Sequence, residues 1–235
     1  MKKLFYLIAI VLASSTMAQE LQTPSTSFSH KKKAYLTLSD GTEIIGNIND
    51  IDRKKGIIKA IKVTDGAGEK RKLLPADISY MYLPPSGLDK LGNAINTVNS
   101  VQKWKQSKLD EDLLNQGLVY FEQANVKIKK KTMTLLAQLL NPSFSAKVKI
   151  YHDPLAKETA SLGVGGLKVT GGIAKSYYVQ KEGDVAAFKF DKGGYKKEFS
   201  YFWNCDALDQ QFSSGEEKAW RNLGKHAASY TTDCE

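Results

Sequence analysis

The chain has 235 residues, 42% of them hydrophobic and 25% charged, with a formal charge of +9 at neutral pH. That balance excludes an intrinsically disordered chain, which would be poorer in apolar residues, and the length suits one compact unit or two small domains. The excess of lysine and arginine favours anionic partners such as envelope surfaces, acidic glycans or nucleic acid, with ordinary solubilising surface charge as the alternative.

Residues 1–18 read as a cleavable secretory signal. Lys2 and Lys3 form a positive start, Leu4 to Leu12 is an unbroken apolar run, and Thr16-Met17-Ala18 gives a small residue at the expected cut before Gln19. An uncleaved anchor is the alternative, but a spanning helix needs about 20 apolar residues and this run is about half that. No cysteine lies near the cut to carry a lipid, and no later segment is long and apolar enough to span a bilayer. The expected location is therefore extracytoplasmic: periplasm, cell surface or medium.

Residues 19–33 form a polar, flexible leader. Residues 34–85 read as five short strands: Ala34–Ser39, Glu43–Asp50, Gly56–Thr64, Lys70–Leu74 and Ser79–Leu83. A turn at Asp40-Gly41 separates the first from the second, one at Asp65–Gly68 the third from the fourth, and Pro75-Ala-Asp77 the fourth from the fifth. So many short strands in so little chain predict closure into a small barrel, which would remove exposed edges. The run Leu38-Ser-Asp-Gly-Thr-Glu-Ile-Ile-Gly46 resembles the opening hairpin of small Sm-like or SH3-like barrels. The RNA binding known for cytoplasmic members is not carried over, because export separates the chain from RNA and fold alone does not give function.

Residues 86–116 are assigned to a linker helix. Leu88, Leu91, Ile95, Val98 and Val101 fall on one helical stripe after a Ser86 N-cap. Residues 117–192 return to strands, with alternation at Val126 to Lys131 and at Lys147 to Tyr151, which predicts an antiparallel, sandwich-like unit. Its outward positions give a lysine row, Lys127, Lys129, Lys131, Lys147 and Lys149, with Lys168 nearby. That row is the candidate face for an anionic ligand, the solvated side of a half-buried sheet being the alternative reading.

Residues 193–235 read as helical. Trp220, Leu223, Ala227, Tyr230 and Cys234 recur at helical spacing, so Cys234 points with the apolar stripe, where it can meet Cys205. These are the only cysteines, and in an oxidising compartment they pair most simply; two free buried thiols are the alternative. Tyr201-Phe-Trp-Asn-Cys205-Asp-Ala-Leu208 followed by Tyr230-Thr-Thr-Asp-Cys234 resembles the C-terminal pattern of a family of secreted bacterial proteins with no established activity. Leu139-Leu-Asn-Pro142, Tyr151, the glycines from 163 to 172 and Ser176-Tyr-Tyr178 extend the likeness. The resemblance implies location and disulfide pairing, and no reaction.

The fold class expected is α+β, mostly β: a small barrel, a linker helix, an antiparallel β unit and C-terminal helices pinned by a disulfide. Catalytic signals are absent. The three histidines, His30, His152 and His226, show no metal-ligand spacing, and there is no nucleophile elbow. Gly163 to Gly172 with Lys175-Ser176 fails the spacing of a phosphate loop. No cofactor and no metal are expected. The sequence favours an exported, non-enzymatic binding or structural protein whose partner is an anionic envelope polymer or another envelope protein. A hydrolase of an envelope polymer with unidentified carboxylates is the first alternative, and extracellular nucleic-acid binding the second.

Overall fold

The computed structural model describes residues 20–87, 109–157 and 173–234, with the backbone of 163–164 and 167–168. The signal reading and nearly all of the expected linker-helix stripe fall outside these residues. So do the side chain of Lys168 and most of the glycine-rich stretch from 163 to 172.

Twelve strands are described. The first five are β1 (Lys33–Leu38), β2 (Glu43–Lys54), β3 (Ile57–Asp65), β4 (Lys70–Leu73) and β5 (Ile78–Leu83). They follow the expected segments closely, and in β1 and β2 the apolar residues fall at period two: Ala34 and Leu36, then Ile44 and Ile48, are buried while the residues beside Ile44 face out. Gly46 is required where β2 crosses β3. A Cβ there would lie 2.3 Å from the carbonyl oxygen of Thr64.

The expected barrel is not closed. Strand order runs β4-β3-β2-β1-β5, but β5 does not return to β4; its second edge pairs antiparallel with β6 (Val119–Ile128). The hairpin of β6 and β7 (Lys131–Gln138) supplies Val119, Phe121 and Leu136, which join Leu36, Ile61, Val63 and Met81 in one core. Five short strands leave an apolar opening, and the next hairpin covers it.

The same sheet continues through β6 to β12 (Ala187–Asp191), β11 (Ser176–Lys181) and β8 (Val148–His152). All pairs are antiparallel except β6 with β12. β9 (Gly163–Val164) and β10 (Leu167–Lys168) form a separate two-stranded ladder. A bridge from Leu139 to Tyr151 brings β8 back against the end of β7. β6 is consequently buried on both faces, with Val119 and Phe121 in the first core and Tyr120, Ala124 and Val126 in a second.

A short helix, α1 (Glu111–Asn115), lies between β5 and β6, and three helices follow the last strand: α2 (Tyr195–Trp203), α3 (Asp206–Gln211) and α4 (Leu223–Asp233), the last preceded by a 3-10 turn at Trp220–Asn222. α2 to α4 cover the outer face of β8, β11 and β12 in a third core of Ile150, Val179, Phe190, Tyr195, Phe199, Trp203, Trp220 and Ala227. Cys205 and Cys234 are joined, with Cα atoms 5.9 Å apart. The bond ties the start of α3 to the end of α4, on the buried side the helical spacing indicated. The architecture is thus α+β and mostly β, with a large sheet, C-terminal helices and a disulfide. No helix among the described residues is long and apolar enough to cross a membrane.

Candidate functional site

The structure divides the lysine row. Lys127 in β6, Lys129 in the β6–β7 turn and Lys131 in β7 are exposed and gather at one hairpin tip. Lys147 and Lys149 are engaged within the fold. The Lys147 ammonium donates to the Cys234 carbonyl. Lys149 donates to Glu122 at 2.8 Å. Period two places alternate lysines outward on each strand, but it does not say how β8 lies against the β6–β7 hairpin.

Glu122 belongs to a polar centre that the sequence did not mark. It accepts from Tyr151 at 2.7 Å and from Tyr120 at 3.3 Å as well as from Lys149. Burial, followed by the nearby Glu122 charge, raises the pKa of both phenols, and burial pushes that of Tyr82 up to about 12. A second carboxylate, Asp153, has a fully buried side chain. It accepts from Ser176 at 2.7 Å and from the Leu155 amide at 2.9 Å, and lies 3.5 Å from the Lys189 ammonium. Asp153 does sit in the turn expected after β8, but as an internal anchor. Both carboxylates are held by internal donors on several sides, which suits orientation of strands.

His226 is fully buried among Phe199, Phe212, Trp203 and Tyr195. A chain of hydrogen bonds runs through it. Trp203 Nε1–H donates to the Tyr195 hydroxyl at 3.0 Å, the hydroxyl pairs with His226 Nδ1 at 2.7 Å, and Nε2 lies 2.9 Å from the Glu217 carbonyl. A carbonyl only accepts, so Nε2 carries the proton and Nδ1 takes the hydroxyl's. Burial pushes the His226 pKa down to about 4. It is a neutral core residue, as a lone histidine beside an apolar stripe suggests.

A concave site lies at the start of α2. A groove of about 650 Å³ is lined by Lys192, Gly193, Gly194, Lys196 and Lys197 on one side and by Ala219, Trp220 and Arg221 on the other. Ile173 and Tyr195 complete the apolar floor. All four cations are exposed. The acids nearby are Glu216, which pairs with Arg221, and Glu198, whose carboxylate would meet a Cβ on Gly194 at 3.0 Å. Three lysines within six residues, flanking Gly-Gly, were visible in the sequence. The contribution of Arg221 was not, because only tertiary packing brings residues 216–221 to this place.

Among the described residues, no group of three or more His, Cys, Asp or Glu could hold a metal ion. Comparison with protein-family models, curated proteins and solved structures finds no match.

Proposed function

We propose that the chain is an exported, non-enzymatic binding protein whose ligand is an anionic polymer of the bacterial envelope or exterior, held in the groove at the start of α2. The observation that carries this reading is the convergence of Lys192, Lys196, Lys197 and Arg221 on one groove with an apolar floor. Four cations against one lining acid make the groove positive, and a walled groove concentrates that field more than a flat face does. The aligned peptides of α2 add positive potential at the same end. An acidic glycan fits this chemistry: its carboxylates or sulfates meet the ammonium groups while its ring faces lie on the apolar floor. Export is supported by the signal pattern at residues 1–18, by the disulfide, which persists in oxidising compartments, and by the resemblance of the C-terminal cysteine pattern to secreted bacterial proteins.

The test is calorimetric titration with a defined acidic polysaccharide at low and moderate salt. Wild-type protein binds, and salt weakens the interaction. Lys196→Glu with Lys197→Glu lowers affinity by about tenfold or more, while Lys127→Glu with Lys131→Glu leaves most of it. Equal binding by the groove variant removes the proposal. Loss confined to the hairpin variant transfers the site to the β6–β7 tip.

A further inference from the structure

The β6–β7 hairpin ends in four lysines within five residues, Lys127, Lys129, Lys130 and Lys131. No acid occurs from Gln123 to His152. Among the described residues, none of the four lysines makes an ion pair. Lys127 and every residue from Lys129 to Thr134 are exposed, so the tip stands clear of the fold. It forms no wall of the α2 groove.

Two features of this tip work against folding. Like charges crowded on neighbouring positions repel one another. Lys129 is the first residue of the tight turn between Ile128 and Lys131, and its φ is +56°. That is the left-handed region, where glycine or asparagine is the usual occupant and a lysine is strained. Strain of this kind collects at sites that bind something. An anionic surface against the tip would offset the repulsion and account for a lysine at the strained position.

The apolar neighbours indicate which kind of surface. Register sets Ile128 opposite Lys131 and Val126 opposite Met133, so Ile128, Lys131 and Met133 share one face. Val126 is buried in the second core, whereas Ile128 is half-buried and Met133 is 40% exposed. A projecting tip with lysines around an exposed methionine suits a plane. The ammonium groups reach headgroup phosphates while the thioether enters the acyl boundary. A soluble polyanion is held better by walls on both sides, which the α2 groove has and the tip lacks.

We infer that the β6–β7 tip docks the protein on a bilayer rich in anionic lipid, with Lys127, Lys129, Lys130 and Lys131 at the headgroups and Met133 beneath them. The surface is separate from the α2 groove and does not depend on what that groove binds.

The test is flotation with vesicles made of equal parts phosphatidylcholine and phosphatidylglycerol. Wild-type protein floats with these vesicles but not with phosphatidylcholine alone, and salt releases it. Lys127→Ser with Lys130→Ser weakens partitioning by about thirtyfold. Lys129→Gly relaxes the turn and removes one charge, so the thermal midpoint rises while vesicle binding falls by about fivefold. A purely structural role for the tip would not separate those two readouts. Lys196→Glu with Lys197→Glu keeps most of the vesicle binding. Failure of the wild type to float overturns the inference, as does unchanged flotation of the tip variants or a larger loss in the groove variant. An equal loss of affinity for a soluble sulfated oligosaccharide in the tip variants overturns the assignment to lipid.

Discussion

Acid should weaken this fold through His226 in a way that one substitution isolates. The imidazole is fully buried and its pKa lies near 4, against about 6.5 for an unperturbed histidine. The depressed value means that the native state favours the neutral ring. That contribution is fully present above pH 6.5 and is lost as pH falls from 6.5 towards 4. The gap corresponds to about 3 kcal/mol at its limit. The cause is structural: a second ring proton would remove the acceptor for the Tyr195 hydroxyl, in a pocket of aromatic rings that cannot solvate charge. Urea denaturation at a series of pH values, with and without His226→Gln, measures the effect. Glutamine can donate to the Glu217 carbonyl and accept from Tyr195, and it does not titrate. Carboxylates contribute equally to both proteins, so the difference between the two curves reports His226. Wild type is expected to lose its advantage over the variant progressively below pH 6.5. A difference that stays constant from pH 7 to pH 4.5 would refute the reasoning.

Other expectations follow from single contacts. Reducing the Cys205–Cys234 bond, which spans a sequence separation of 29, should cost about 3–4 kcal/mol by chain entropy, read as a shift in the urea midpoint when reductant is added. Tyr151→Phe should cost about 1 kcal/mol by deleting the hydroxyl that Glu122 accepts, and a double-mutant cycle with Glu122→Gln should give a non-zero coupling. Gly56→Ala should destabilise by more than about 1 kcal/mol. Its φ is +78°, and the added Cβ would lie 2.7 Å from Cβ of Pro154; an unchanged thermal midpoint would contradict that geometry.

Much of the secondary structure was legible because apolar residues repeat with the period of the element. β1, β2 and α4 are of this kind. Trp220, Leu223, Ala227 and Cys234 do meet in one core, which is why the disulfide could be reasoned from spacing. Period two cannot tell which edge a strand pairs with. The barrel reading therefore went astray at β5, where the next hairpin, rather than β4, takes the free edge. The same limit applies to the lysine row, since alternation placed Lys149 on a face but could not show Glu122 waiting there. Glu122 and Asp153 carry no local signal, and their donors come from distant strands. The groove was not read from the sequence: Lys192, Lys196 and Lys197 carry no alternation that marks a face, and Arg221 joins them only through the packing of the turn before α4.

The central claim, that the α2 groove holds an anionic ligand, is tested most directly by mapping amide shifts while a sulfated oligosaccharide is titrated into nitrogen-15-labelled protein. Shifts concentrated at Gly193, Gly194, Lys196, Lys197 and Arg221 are the predicted result. Shifts confined to the tip around Lys127, Lys129 and Lys131, or none at low salt, would contradict it.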